Sequence, residues 1–352
     1  MRVFKYKSVE ANVIFGSGTI SHLAGLVREI GGTRVMLIST PQQADRIKTL
    51  GLSLGDLVAG LYCEAAMHTP VSVTERAMQA VTTNNIDVVV AMGGGSTIGL
   101  AKAIALRSPI PYIAIPTTYA GSEMTPILGQ TDRGRKTTLR DHKVLPRAVI
   151  YDVDLTIGLP IALSGTSGMN AIAHAAEGLY ALDTNPVMQL IAEEGVRALA
   201  SALPRIAKES TDQEARSEAL YGAWLCGTVL GSVGMALHHK LCHTLGGRFN
   251  LPHAETHSII LPHAIAFNAP AIPDAIARLR RSLNATDPAA ALFDLARSVG
   301  AASGLKDLGM PREGVDQAVD DALENAYWNP RPLTREAIAL LLERAWNGDR
   351  PQ

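Results

Sequence analysis

Short apolar runs separated by stretches of helical spacing make up the first half of the chain. Continuous apolar runs predict four strands buried on both faces, at residues 34–38, 87–91, 110–115 and 148–151. Residues 4–10 alternate between polar and apolar side chains and residues 13–15 are apolar, which predicts a strand pair or hairpin before a helix that starts near Thr19. The pattern predicts a doubly wound α/β domain, built on a parallel sheet, over residues 1–157.

From Leu163 onward the pattern changes to apolar positions at helical spacing. The predicted helices cover residues 171–181, 186–203, 211–233, 236–245, 288–299 and 334–345. Prolines at positions 160, 204, 252, 262 and 270 punctuate these segments. The second half, residues 158–352, is therefore predicted to be an all-helical domain.

The composition narrows the class of protein. Of 352 residues, 47% are apolar and 18% are charged, which suits a large buried core and argues against disorder. A formal net charge of −1 gives no reason to expect a nucleic-acid partner. Cys63, Cys226 and Cys242 provide neither a disulfide framework nor a CxxC zinc pair. The N-terminus has no apolar signal core and no run of about 18 apolar residues occurs, so we expect a cytoplasmic protein without a membrane partner.

Two loops in the first half have the composition of a dinucleotide site. The segment Gly93-Gly94-Gly95-Ser96 lies between a predicted strand and a predicted helix. Glycines let the backbone come close to a ligand, and N–H groups at the start of a helix can hold a pyrophosphate. The next strand ends in Pro116-Thr117-Thr118, where open α/β sheets bind ligands. Alone, the glycine loop is equally consistent with a tight turn, and the threonines alone favour a helix cap or turn; together the two loops favour a dinucleotide.

Several motifs, in order along the chain, resemble the iron-containing alcohol dehydrogenase superfamily. They are GGGSxxxxAK from Gly93, PTTxxGSE from Pro116, LPxxLSGTSGMNAxxHAxE from Leu159, HHKLCHTLGG from His238 and LPHAETHSIILPH from Leu251. PTTYAGSEMT, the HHKLCH run and residues 329–334 are most similar to the maleylacetate reductase branch of that superfamily. The resemblance covers almost the whole chain. It implies a dinucleotide-binding α/β domain followed by an all-α domain, the architecture shared with dehydroquinate synthase.

The resemblance assigns a set of cofactor-binding residues. They are Ser39, Pro41, Gly93, Gly94, Gly95, Ser96, Thr117, Thr118, Ser122 and Lys136. Many relatives have an aspartate at the end of the first parallel strand, which binds the adenosine ribose and disfavours a 2′-phosphate. Here that stretch is Ser39-Thr40-Pro41-Gln42, so we expect NADH as the cofactor with some use of NADPH. Gly99 is a second departure, because metal-dependent relatives commonly have aspartate there.

The positions that match the family's metal ligands have lost their carboxylate. Metal-dependent members bind their ion with one aspartate and three histidines, and the matching residues here are Asn170, His174, His239 and His253. An asparagine oxygen is neutral and a poor ligand for a divalent transition metal, so we expect no metal, although three histidines can still bind zinc. A histidine cluster without a carboxylate suits an anionic substrate, and maleylacetate is a dianion.

The resemblance implies NAD(P)H-dependent reduction of the conjugated C=C bond of maleylacetate to 3-oxoadipate, in the degradation of aromatic compounds. His243 is predicted as the general acid, with His253 as the alternative. The groups predicted to hold the carboxylates or polarise the ketone are Asn170, His174, His239, Lys240, Arg248 and His257. His238 and His263 are predicted to be structural, Arg331 is not placed, and a homodimer is expected.

Three other functions fit parts of the sequence. A metal-dependent alcohol or polyol dehydrogenase would tolerate Asn170 as a ligand. A lyase similar to dehydroquinate synthase would need the metal-site carboxylate and several cations for a substrate phosphate, both of which are poorly represented. A non-catalytic nucleotide-binding protein would not need the histidines.

Overall fold

A computed structural model describes Phe4, Tyr6 and residues 11–324 and 326–352, without the side chain of Lys136. The chain divides into two compact units, an α/β unit over Val9–Gly158 and a helical unit over Leu159–Gln352. The predicted residues 4–10 of the N-terminal strand pair lie outside the described residues, apart from Phe4 and Tyr6.

The α/β unit is built on a six-stranded sheet with strand order β1-β8-β5-β4-β2-β3, in which every pairing is parallel. This confirms the predicted fold class. The strands are β1 (Val13–Gly16), β2 (Val35–Ile38), β3 (Val58–Tyr62), β4 (Val88–Gly93), β5 (Tyr112–Pro116), β6 (Ile127–Asp132), β7 (Arg135–Arg140) and β8 (Ala148–Asp152). The helices are α1 (Leu23–Glu29), α2 (Ala44–Leu54), α3 (Val71–Thr83) and α4 (Gly95–Arg107).

The four strands predicted from continuous apolar runs are the four central strands of this sheet. β2, β4, β5 and β8 are buried at every residue, because neighbours cover both their edges and both their faces. β3 was not predicted, since it lies at the sheet edge and is only half-buried over most of its length. β1 pairs in parallel with β8, and the partner predicted for it at residues 4–10 lies outside the described residues, apart from Phe4 and Tyr6.

A separate antiparallel hairpin, β6–β7, was also absent from the prediction. Its turn is Arg133-Gly134, and both residues have positive φ, 47° and 79°. Such a two-residue turn matches the twist of paired strands. The hairpin is rich in polar residues and contains little of the apolar signal on which the prediction relied.

The described residues of the second unit form helices joined by loops, without strands, as predicted. Its helices are α5 (Ile161–Gly178), α6 (Pro186–Lys208), α7 (Gln213–Ser232), α8 (Leu237–Phe249), α9 (His253–Asn268), α10 (Pro273–Leu283), α11 (Pro288–Ser298), α12 (Gly314–Leu323) and α13 (Arg335–Asn347). Among the described helices, no single one is long and apolar enough to cross a membrane, and α7 and α8 meet that test only together, as a pair bent by 93°.

Two prolines interpreted as boundaries lie inside helices. Pro204 is within α6 and Pro262 is within α9, and α9, α10 and α12 were not predicted. The omission of α9 matters most, because this helix begins at His253 and also carries His257. It is buried on nearly all sides from Thr256 onward, so its sequence lacks the polar face that makes a helix recognisable.

α5 is the central helix of this unit and is buried from Ser164 to Gly178. Glycines let its neighbours pack against its backbone: a Cβ on Gly168 would lie 2.7 Å from Leu203, and one on Gly178 would lie 2.1 Å from Val229. This close packing fixes the helix that carries Asn170, His174 and Glu177.

Candidate active site

The glycine loop of the α/β unit leaves an open helix start. A Cβ on Gly93 would lie 2.3 Å from Thr97 Oγ1, which the close packing does not accommodate, and one on Gly94 would lie 3.0 Å from Thr118 Cγ2, a tight contact. A Cβ on Gly95 would meet nothing within 4 Å. No side chain caps the N-terminus of α4. Its N–H groups therefore suit an anion, as predicted for a pyrophosphate.

The threonine loop lies beside the glycine loop. Thr117 is buried; its N–H donates to Gly93 O at 3.1 Å, and its hydroxyl accepts from Gln43 Nε2 at 3.1 Å. Ser122 starts a short 3-10 turn after Gly121. The predicted residues of the glycine and threonine loops are thus neighbours.

The other predicted cofactor residues, Ser39, Pro41 and Lys136, lie outside the glycine and threonine loops. Ser39 is fully buried and its hydroxyl donates to Thr40 O at 3.0 Å, so its side chain is not exposed to a ligand. Pro41 begins a 3-10 turn that ends at Gln43. Lys136 lies on β7, but its side chain is outside the part that the structure describes.

Lys102 is a buried cation to which the sequence analysis gave no role. Its Nζ lies 2.6–2.8 Å from four oxygens: the carbonyls of Ser122, Thr125 and Ile127, and Thr125 Oγ1. Burial lowers the pKa of Lys102 to about 7, and the buried Glu123 carboxylate opposes that shift. Four acceptors around one nitrogen nevertheless suit an ammonium, which has three protons to donate. Lys102 thereby ties α4 to the segment that follows Ser122.

The helical unit brings all five predicted histidines into one cluster. α5 contributes His174, α8 contributes His239 and His243, and α9 contributes His253 and His257. The ring centroids lie 5.0 Å apart for His174 and His239, and 4.2 Å apart for His253 and His257.

Glu177 organises the buried side of this cluster. Its carboxylate is fully buried and accepts hydrogen bonds from the N–H groups of Ala236 at 2.9 Å and His238 at 2.7 Å, at the start of α8. It also lies 2.7 Å from His239 Nδ1. The charge suits a helix N-terminus, where unpaired N–H groups and the helix dipole favour an anion.

The carboxylate also sets the tautomers of two imidazoles. Because Glu177 accepts from His239 Nδ1, that nitrogen carries the proton and Nε2 is left as an acceptor. His174 Nδ1 lies 2.9 Å from His239 Nε2 and therefore donates to it. The acceptor nitrogen of His174 is then Nε2. Sequence reasoning overlooked Glu177, although it follows His174 by three residues and shares its helix face.

A second pair of imidazoles, His238 and His257, is completely buried. His238 Nε2 lies 2.9 Å from His257 Nδ1 and 3.7 Å from Cys242 Sγ. Burial lowers the pKa of both rings well below that of a free histidine, so both are neutral near pH 7. His257 was predicted to contact the substrate, whereas its side chain lies beneath the surface of the cluster.

The exposed side of the cluster is formed by His243 and His253, whose rings stack with a 15° interplanar angle. His243 Nδ1 lies 3.1 Å from the hydroxyl of Tyr327, a residue that the sequence analysis did not single out. The ring centroid of Tyr327 lies 6.0 Å from Lys240 Nζ. That amine donates a hydrogen bond to Glu324 O at 2.8 Å. The lining of an open groove of about 560 Å³ includes Lys240, His243, Arg248, Asp321 and Tyr327. Lys240, His243 and Tyr327 offer a cation and hydrogen-bond donors to an anion, whereas Arg248 is ion-paired with Asp321.

Two arginines near this groove have structural partners. Arg248 pairs with Asp321 through Nε and through Nη2, the latter at 2.8 Å from Oδ1. Arg331 donates to Phe267 O at 2.7 Å and stacks over the Phe267 ring. Asn329 and Asn268 exchange amide hydrogen bonds of 2.8 and 3.0 Å, which anchors the segment that follows Tyr327.

Comparison with known proteins identifies the family. Residues 10–153 match the iron-containing alcohol dehydrogenase family, and residues 164–346 match the C-terminal region of the Fe-containing alcohol dehydrogenase family. The chain belongs to the iron-containing alcohol dehydrogenase family.

Similar proteins within the iron-containing alcohol dehydrogenase family are maleylacetate reductases. Those of Rhizobium sp. strain MTP-10005 and Burkholderia cepacia are 52% and 53% identical to this chain over 352 residues, the full length of both chains in each case. The crystal structure of maleylacetate reductase from Agrobacterium tumefaciens superposes with a TM-score of 0.96 at 52% identity, with 100% of both chains covered.

The name of the iron-containing alcohol dehydrogenase family implies a metal, and the residues at the matching positions do not fit one as they are arranged. Asn170 offers a neutral oxygen, which is buried and has no hydrogen-bond partner. Among the described residues, His174, His239 and His253 do not bring three donor atoms within metal-binding range of one another.

Proposed function

We propose that the chain is a maleylacetate reductase, which reduces the C=C bond of maleylacetate that is conjugated to its ketone. The observation that carries this proposal is the identity of 52–53% to maleylacetate reductases over the full length of both chains. The Lys240 amine in the groove and the replacement of the family's carboxylate by Asn170 support an anionic substrate.

The cofactor is NAD(H), held by the glycine loop and the start of α4. The open space at Gly95 and the uncapped helix N-terminus suit a pyrophosphate. Residues 39–42, which follow β2, contain no acidic residue that would repel a 2′-phosphate, so we propose that NADPH is accepted as well.

A dihydronicotinamide bound by these loops would supply a hydride to the alkene carbon β to the ketone, and would be oxidised in doing so. The C=C electron pair of the substrate moves to give an enolate, and protonation of the α-carbon completes 3-oxoadipate. One hydride and one proton are needed for each substrate. The protein must therefore stabilise charge on the ketone oxygen and deliver one proton.

The groups around the groove have the chemistry for these tasks. His243 is the proposed acid, and the Tyr327 hydroxyl next to its Nδ1 holds the ring and can relay a proton. Lys240 has a charged amine for a substrate carboxylate. Glu177, through His239, positions His174. His253 is the alternative acid, because it is exposed and stacks on His243.

We further propose that turnover needs no metal. The test uses purified full-length protein treated with a strong chelator, mixed with NADH and maleylacetate, while the absorbance of the reduced nicotinamide is followed. We expect decay of that absorbance and formation of 3-oxoadipate. Activity lost on chelation and restored by Fe²⁺ or Zn²⁺ would favour a metal-dependent alcohol or polyol dehydrogenase. No decay with or without metal would refute the reductase proposal.

The family resemblance also suggests a homodimer. Light scattering of the purified protein measures the mass in solution, and the mass of one chain would contradict this proposal.

A further inference from the structure

We propose that His238, Cys242 and His257 form a buried site for a thiophilic divalent cation, and that Zn²⁺ is the ion it binds. The three residues are distinct from those that match the family's metal ligands. The proposal concerns binding and does not depend on the reductase function; only its effect on turnover does.

The geometry is that of a small tetrahedral or trigonal site. One donor atom from each residue lies within 4.8 Å of the other two. Sγ of Cys242 lies 3.7 Å from His238 Nε2, which lies 2.9 Å from His257 Nδ1. Zinc–nitrogen bonds of about 2.0 Å and zinc–sulfur bonds of about 2.3 Å place ligand atoms roughly 3.3–3.8 Å apart. The Cys242–His238 distance falls in this range, and the 2.9 Å spacing of His238 and His257 would have to widen by a rotation of one ring when an ion binds.

The helices hold the three ligands without strain. His238 and Cys242 are one turn apart on α8, so they lie on the same face. His257 comes from α9, which packs against α8. All three side chains are 0–1% exposed, and a dry site strengthens binding of an ion once it has entered.

The nitrogen atoms of the two rings also suit a cation. A neutral imidazole has one nitrogen whose lone pair can bind a metal. The outer nitrogens, His238 Nδ1 and His257 Nε2, are buried without hydrogen-bond partners. They can carry the ring protons when the inner nitrogens bind the ion. Coordination by Cys242 removes the thiol proton, which is released to water.

Charge balance favours the ion as well. Glu177 is fully buried, its charge acts on Cys242, and its only ion-pair partner among the described residues is His239. The two positive charges of a Zn²⁺ ion bound to the Cys242 thiolate would balance two negative charges, that of the thiolate and that of Glu177. The bound ion fixes His257, whose ring lies 4.2 Å from that of His253, so we expect Zn²⁺ to inhibit turnover reversibly.

Cobalt makes the site visible in the full-length, chelator-treated protein. Co²⁺ bound to a thiolate has an intense near-ultraviolet charge-transfer absorption, whereas Co²⁺ bound only to nitrogen and oxygen does not. We expect this absorption in the wild type, its loss in Cys242→Ser, and its retention in Cys63→Ser and His253→Ala. Cys63 is the matched control, because it is also a free cysteine but lies in the α/β unit.

The possible results distinguish binding of the ion at this site from its effect on turnover. A wild type without the charge-transfer band, or a band that persists in Cys242→Ser, would overturn the proposal. If Cys242→Ser does not fold by circular dichroism, Cys242→Ala and His238→Gln provide the same readout. Zn²⁺ should displace Co²⁺ and abolish the band, and the Zn²⁺ concentration for half-inhibition should rise about tenfold or more in Cys242→Ser. A band without inhibition would confirm the site and refute only its effect on turnover.

Discussion

At the scale of single residues, the chemistry of the histidine cluster depends on how each imidazole is held. His243 is exposed and has a defined hydrogen-bond partner in Tyr327, whereas His257 is buried and neutral. An acid that delivers a proton must reach the substrate, which favours His243 over His257.

Replacement of the proposed acid should affect the chemical step. We expect His243→Ala to lower kcat by about a hundredfold or more, because the transition state loses its proton donor. The NADH dissociation constant should be unchanged. Steady-state kinetics and NADH fluorescence titration measure the two quantities, with the exposed His22→Ala as control. Near-normal turnover in His243→Ala would make the assignment wrong and leave His253 as the acid.

Glu177 should influence catalysis without touching the substrate. The side-chain oxygen of a glutamine there can still accept hydrogen bonds from the backbone of α8. The neutral amide cannot both accept a hydrogen bond from His239 Nδ1 and supply the negative charge of the carboxylate. We expect Glu177→Gln to lower kcat roughly ten- to a hundredfold with little change in KM, since it disturbs the tautomers of His239 and His174. Nitrogen-15 NMR of the histidines reports the tautomers directly.

The matched control for this substitution is Glu336→Gln on the exposed face of α13. If the imidazole tautomers and kcat of Glu177→Gln both equal those of the wild type, Glu177 merely caps α8. Thermal unfolding then shows whether the carboxylate serves stability alone.

The site residues differ in how far the sequence could reveal them. The five histidines belong to motifs, so the family resemblance located them without knowledge of the fold. Glu177 lies in the same motif, but its role depends on the start of α8, which approaches α5 only after folding. Tyr327 is 84 positions from its partner His243, and no local pattern predicts such a pair.

At the scale of elements, the β4–α4 unit shows what glycine does for a ligand. Gly93, and less strictly Gly94, is needed for the protein's own packing, whereas Gly95 borders open space. The proposed pyrophosphate would occupy that space.

Substitution of Gly95 therefore separates folding from cofactor binding. The methyl group of Gly95→Ala meets no protein atom within 4 Å, so the free energy of unfolding should change little. It intrudes where the pyrophosphate approaches the backbone, and we expect the NADH dissociation constant to rise about tenfold or more. Gly25→Ala is the control, since Gly25 lies on α1 and its added Cβ also meets nothing within 4 Å. Equal NADH affinity in both variants would place the pyrophosphate elsewhere.

Elements were predictable where burial imposed a single pattern. Central strands are apolar throughout and amphipathic helices show a helical period, so both were found. β3 is an edge strand, and β6 and β7 are polar. α9 is apolar nearly all round and contains Pro262, so it has neither a clear period nor an uninterrupted run of helix formers. The positions of His253 and His257 on one helix therefore had to come from the structure.

At the scale of the whole molecule, buried neutral histidines couple stability to pH. His263, in α9, is 4% exposed, and its Nε2 has no hydrogen-bond partner. Burial lowers its pKa from 6.5 to about 4; the nearby Arg344 contributes in the same direction, and Asp349 opposes it. The unfolded chain therefore takes up a proton near pH 6.5 while the native state does not.

The sign of the effect follows from these two values. The contribution of His263 to stability is fully present above pH 6.5 and is lost as the pH falls towards 4. By pH 5 the loss is about 2 kcal/mol in the free energy of unfolding, and it approaches about 3 kcal/mol at lower pH. His238 and His257 act in the same direction, because burial lowers the pKa of both.

Replacement of His263 isolates its share of this acid sensitivity. Leucine has a similar volume, does not titrate and leaves no polar atom without a partner, so His263→Leu should fold. Urea unfolding of both proteins between pH 7 and pH 5 gives the free energies, and the wild type should lose about 2 kcal/mol more than the variant. Other titrating groups cancel in the difference because they are common to both proteins. Parallel curves would show that His263 titrates alike in the native and unfolded states, which its burial without a partner on Nε2 argues against.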